Sequence, residues 1–139
     1  MNDWEPWLVA TAALHLGFQL TVTAVVYPAL ADVPPADWSA AHAAHSRRIS
    51  YVVAAAYLPL LGVGLWALVD GPVDVGLVVA AVGAAVSFLT TAAVAAPTHG
   101  RLGSGRTDAL VARLLVADRV RLLGAVVCLA GALVAVLAG

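Results

Sequence analysis

The chain has no lysine, a single cysteine, two phenylalanines and little charge of either sign. Its 139 residues include 7 basic and 8 acidic side chains, so that 11% are charged, where an ordinary soluble domain has about 25%. So little charge excludes a water-soluble globule and a disordered tail. The net charge of −1 gives no basic surface, which excludes nucleic acid as a partner. Cys128 sits alone in an apolar run, can close no internal disulfide and excludes a disulfide scaffold. Phosphate-binding glycine loops, cysteine pairs and a Ser-His-Asp series are all missing. What fills the chain instead is apolar: 63% hydrophobic residues and a mean hydropathy of +0.97. These values describe a small integral membrane protein, too short for a large multidomain transporter.

The residues 6–31, 49–69, 75–100 and 122–139 contain no Asp, Glu, Lys or Arg. A bilayer core of about 30 Å needs roughly 17–25 apolar residues as helix. Each stretch is long enough to cross once, and strict apolar–polar alternation, the mark of a membrane barrel, is absent. The first stretch lacks a basic leader and carries His15 and Gln19, so it reads as a retained helix rather than a cleaved signal. The expected fold is all-α, a single-domain four-helix membrane bundle with spans at about 7–30, 49–69, 75–97 and 120–138. All seven arginines lie in 32–48 and 101–121, while 1–5 and 70–74 hold only Asp3, Glu5, Asp70 and Asp74. The positive-inside rule then predicts a cell (inner) membrane protein with both termini outside and both basic segments in the cytoplasm. Trp4, Trp7 and Trp66 would mark the outer interface, and Tyr27, Trp38 and Tyr51 the inner one.

Punctuation refines the pattern. Pro34-Pro35 opens a second helix whose first turns, 36–48, form a cytoplasmic foot. Pro59 should kink that helix. Asp70-Gly71-Pro72 is a tight outer turn. Pro97 should stop the third helix, with a flexible loop over 100–105. Thr107-Asp108 caps a fourth helix with its own basic foot, from Arg113 to Arg121. Gly124, Cys128 and Ala132, and Gly131 with Ala135, are small residues four apart that let helices approach closely.

Two groups of residues could carry chemistry. Thr11, His15, Gln19, Thr23 and Tyr27 recur every fourth position in the first helix and form a polar ridge facing the bundle interior. Polar groups at that depth are costly, and an ionisable one is a functional candidate. Ser87, Thr90 and Thr91 can line the same interior. The second group is cytoplasmic. His42 and His45, with Trp38 and Ile49, share one face of the second helix, and Arg48 lies one turn beyond. His99, in Pro97-Thr98-His99, falls at the same membrane level. Three imidazoles with an open position can hold a divalent metal, with Asp118 or Asp37 as a carboxylate neighbour. The competing reading is interfacial histidines bonded to headgroups or backbone. His15, about 18 Å of helix rise from Tyr27, cannot join them. Arg121, one turn after Asp118, can receive the polar end of a ligand or simply snorkel.

Tyr27-Pro28, the Trp38/His42/His45/Arg48 segment and Pro97-Thr98-His99-Gly100-Arg101-Leu102 together resemble small four-helix bacterial membrane proteins. More distantly they are similar to the anthrone-oxygenase-like family. That family has four spans, a Pro near the end of helix one and a Pro-x-Asn-x-x-Leu element after helix three. Here His99 takes the Asn position, and Asp118-Arg119-Val120-Arg121 stands where an Asn-then-Arg element is expected. The resemblance implies oxidation or oxygenation of a lipophilic aromatic or quinone-like substrate. On that reading His42, His45 and His99 hold a metal or act as acid and base. Arg48, Asp118 and Arg121 orient the substrate, and His15, Gln19, Tyr27 and Trp38 line its pocket. The alternatives are a non-enzymatic membrane subunit or lipid-binding protein, and a small transporter, for which a homo-oligomer could supply the room that alternating access needs.

Overall fold

The computed structural model describes residues 2–138. Each charge-free stretch becomes a continuous helix: α1 (Glu5–Ala31), α2 (Trp38–Asp70), α3 (Val75–Ser104) and α4 (Asp108–Ala138). All four are long and apolar enough to cross a membrane. Among the described residues there is no strand. Large apolar side chains such as Leu58, Val69, Leu89 and Leu123 lie exposed on the outer faces, as lipid solvent permits.

The turns behave as their residues dictate. Asp74 caps α3 by accepting from the Leu77 backbone N–H at 2.8 Å, and the Thr107 hydroxyl accepts from Leu110 N–H at 3.2 Å at the start of α4. At the end near the termini Trp4, 2% exposed, lies against Gly71, where an added Cβ would overlap its indole.

Pro97 does not stop α3. The helix runs through it to Ser104, which replaces the loop expected over 100–105 by helix as far as Ser104. The reason is a wide turn just before the proline. The Ala96 N–H bonds to Thr91 O, five residues back, and in α1 the Tyr27 N–H bonds in the same way to Val22 O before Pro28. Proline supplies no N–H and its ring collides with the carbonyl four residues earlier. The wider turn absorbs that defect without ending the helix. It also resets the helix face. Buried positions in α1 step from Gln19 and Val22 to Tyr27 and Leu30, so Tyr27 still faces inward where an unbroken α-helix would have rotated it away. Pro59 sits within a continuous α2.

The helices pack unequally. α3 and α4 touch backbone to backbone. A Cβ added at Gly83 would overlap Cys128 N, one at Gly76 would overlap Ala135 N, and one at Gly131 would overlap Ala80 N. These small-residue steps include the expected Gly124, Cys128, Gly131 and Ala135. α1 packs on α4 and α2, whereas α2 meets α3 only thinly. The apolar core is divided in two. One cluster, with Trp4, Leu8, Leu60, Leu77 and Cys128, fills the end near the termini; the other, with Val22, Tyr27, Trp38, Leu102 and Leu114, fills the opposite end. Polar side chains occupy the layer between them.

Candidate functional site

The polar layer begins on α1. Thr11, His15, Gln19 and Tyr27 are all buried, His15 and Gln19 completely, and Thr23 is half-buried, so the ridge faces the bundle, Tyr27 by way of the wide turn before it. Thr11 and Thr23 turn their hydroxyls back onto α1, donating to Trp7 O and Gln19 O. His15 makes no hydrogen bond through either ring nitrogen. It packs edge-on against Tyr57 at 4.6 Å and Phe88 at 6.1 Å between ring centres. Tyr57 reaches across from α2 and shares a 3.0 Å hydrogen bond with the Thr91 hydroxyl of α3. The role of Tyr57 escaped the sequence reading. The signal was a hydroxyl-bearing ring in the middle of the second span, on the face that continues from His42, His45 and Ile49.

Gln19 donates to Asp118 Oδ1 at 2.6 Å, and Arg121 donates to the same oxygen at 3.2 Å. Asp118 is 2% exposed and Arg121 4%. Ser87, fully buried, donates to Arg121 O at 2.7 Å and ties α3 to this point. About 18 Å of helix rise separates Gln19 from Ala31 and about 21 Å separates it from Glu5, so the ion pair lies near the middle of α1. This corrects the expectation that Asp118 stands beside the histidines as a fourth ligand or acceptor. Its hydrogen bonds go to Gln19 and Arg121, and Asp37 is exposed.

The three histidines at the end of the bundle away from the termini do come together. His99 lies 5.4 Å from His42 and 5.6 Å from His45, ring centre to ring centre. His42 Nε2 and His99 Nδ1 are 3.2 Å apart, and His99 Nε2 and the Tyr27 hydroxyl 3.0 Å apart. His99 is thus the middle of a hydrogen-bonded line, Tyr27–His99–His42. Trp38 extends it by stacking on His42 at 5.2 Å, held by its own Nε1–H donating to Leu102 O at 3.0 Å. The Arg106 guanidinium lies 5.6 Å from the Trp38 ring and also donates to Ala31 O.

The His99 ring stacks on His42 and His45 at interplanar angles of 29° and 27°, which puts ring faces together rather than lone pairs on one point. Both His99 nitrogens are engaged. Among the described residues no group of three His, Cys, Asp or Glu could hold a metal ion. Arg48 also departs from expectation. It is exposed, on the α1–α2 flank with Val26, His45 and Val52, away from Tyr27 and Arg121.

The thin α2–α3 contact leaves a cavity of ≈ 360 Å³, within the range of small-molecule sites. Its walls are Phe18, Val22, Ile49, Val53, Ala95 and Ala96, and its polar points are Tyr27, Ser46, Ser50, Thr91, His99 and Arg121. The Arg121 guanidinium stands 5.7 Å from the Tyr27 ring. Arg121 Nε and Ser46 Oγ are buried with no protein partner. Chemically, the site offers guanidinium N–H donors, an imidazole in a hydrogen-bonded line and an apolar slot. No family model, curated protein or solved structure matches this chain.

Proposed function

We propose that the protein is a membrane oxidoreductase or oxygenase that applies histidine acid–base chemistry to a lipophilic aromatic or quinone-like substrate taken from the bilayer. The observation that carries this reading is the Tyr27–His99–His42 hydrogen-bonded line, which ends on the cavity that Arg121 also lines. A substrate ring lies among Phe18, Val22, Ile49 and Val53, and its oxygen points to Arg121. Tyr27, at the cavity end of the line, takes a proton from the activated carbon or hydroxyl as its own hydroxyl proton passes to His99 Nε2. The line can reverse the sense of both of its hydrogen bonds, so a proton gained at His99 leaves through His42 toward the rim. For an activated methylene, dioxygen is the oxidant: methylene and dioxygen give a ketone and water, with both hydrogens leaving the carbon as the carbon–oxygen double bond forms.

The decisive experiment is dioxygen uptake by the purified protein in proteoliposomes, with anthrones and hydroquinones as substrates. Uptake that requires substrate and protein supports the reading. Uptake no faster than with protein-free vesicles overturns it. A second reading, a non-enzymatic lipid-binding protein or subunit, draws on a second α2–α3 cavity of ≈ 160 Å³. Its lining, including Leu8, Leu60, Leu77, Phe88 and Cys128, is entirely apolar and would suit a lipid tail. Substrate binding without turnover favours that alternative.

The proposed placement puts the site at the cytoplasmic side of the inner membrane. The support is the segregation of all seven arginines into 32–48 and 101–121. α2 has 33 residues, roughly 50 Å of helix, so its basic start can extend beyond a 30 Å core as a foot. A periplasm-dependent reporter fused after Gly139 is expected to be active. Activity only from a cytoplasm-dependent reporter reverses the orientation.

A further inference from the structure

The polar cavity has one charged wall residue, Arg121. That charge is already answered. Asp118 holds the guanidinium at 3.2 Å from behind, with both side chains almost wholly buried, and Asp118 is not itself part of the cavity wall. Gln19 fixes the carboxylate with a 2.6 Å hydrogen bond. The wall therefore presents guanidinium N–H groups, with Nε buried and unpartnered, but no net charge. In a poorly screened interior, a ligand carboxylate brought to Arg121 also meets Asp118 close behind it. A carbonyl or phenol oxygen accepts the same N–H groups and meets no such repulsion.

We infer that Asp118 is a specificity-determining residue: by neutralising Arg121 it makes the cavity select an uncharged oxygen head, a quinone carbonyl or a phenol on an apolar body, and reject anionic amphiphiles such as fatty acids. The inference rests on the reading of this cavity as the substrate site and narrows its ligand class. Its geometry is independent of what happens at His99. The tail lies along the apolar walls in either case, so the discrimination resides in the head alone. Asn in place of Asp118 keeps a carbonyl oxygen for Gln19 and Arg121 while leaving the guanidinium charge unanswered. A carboxylate ligand then supplies the missing partner.

The test is equilibrium binding to the full chain in phosphatidylcholine nanodiscs, using a decyl-tailed benzoquinone and decanoate as probes. The wild type is expected to bind the quinone about tenfold or more tighter than decanoate, a difference of about 1.4 kcal/mol or more. Asp118→Asn should reverse the order, and decanoate should raise the melting temperature of that variant but not of the wild type. The double variant Asp118→Asn with Arg121→Gln has no charge to answer and should lose the gain in decanoate binding. Equal affinities for the two probes in the wild type overturn the inference, whether or not the variants fold. So does an unchanged preference in Asp118→Asn. Binding of neither probe removes the cavity as a site, and this inference with it. Selective quinone binding without dioxygen uptake upholds the selectivity and counts against the oxygenase reading alone.

Discussion

Replacing Gly83 by leucine is expected to part α3 from α4 and abolish a monodisperse bundle. A single Cβ at Gly83 already overlaps the Cys128 backbone nitrogen and approaches Gly124 O at 2.6 Å. Backbone atoms cannot rotate aside as a flexible side chain can. Overpacking a well-filled interior costs about 1–3 kcal/mol. Gly83→Ala should show a loss of that size in detergent unfolding, and Gly83→Leu more. The damage would extend beyond the two helices, because Ser87 binds Arg121 O one turn away and Arg121 holds Asp118. Gly17 and Gly62 provide the contrast, since an added Cβ at either meets nothing within 4 Å. Gly62→Ala should leave the unfolding midpoint unchanged or raise it slightly. A Gly83→Leu protein as stable as the wild type would show that the two helices are not in backbone contact.

The largest functional loss should come from His99→Gln. Glutamine can still hydrogen-bond to Tyr27 and His42 but cannot act as a general acid or base. General acid–base catalysis by one positioned side chain typically contributes about 10²–10⁴-fold. Turnover of an anthrone or hydroquinone should fall by that order while KM changes little, because the apolar walls and Arg121 remain. His45→Gln should cost less, since His45 stacks on His99 but is outside the hydrogen-bonded line. Steady-state dioxygen uptake separates these outcomes. If His45→Gln proves as damaging as His99→Gln, the line is not the proton path.

Much of this architecture was legible in the sequence because membrane solvent leaves few choices. Charge-free runs of sufficient length had to become helices, and polar residues four apart in the first run had to face inward. The meeting of His42, His45 and His99 followed from topology and from one shared helix face. What spacing could not show was local backbone register. Pro97 reads as a helix end because the wide turn before it leaves no mark in composition. Nor could spacing show depth at the start of the fourth helix. Asp118 follows a basic segment and looks interfacial, yet Gln19 holds it level with the middle of α1. Nor could spacing show how the three imidazoles are oriented. A helix face brings imidazoles together but does not decide whether their edges or their faces meet, and here Trp38 stacking on His42 helps to set the faces.

The unequal packing of the bundle also determines where its ligand preference can drift. The α3–α4 contact tolerates almost no change, since backbone lies against backbone at Gly76, Gly83 and Gly131. The polar layer is also constrained, with Gln19, Asp118, Arg121 and Ser87 linked by hydrogen bonds. α2 carries neither burden along most of its length, yet Ile49 and Val53 shape one cavity, and Leu60, Leu61 and Leu65 the other. Substitutions there can alter the accepted ring or tail without disturbing the frame or the proton path. On the proposed reading, such a chain would acquire new substrates through the middle of α2 while His42, at the start of that helix, and the other three helices keep the chemistry fixed.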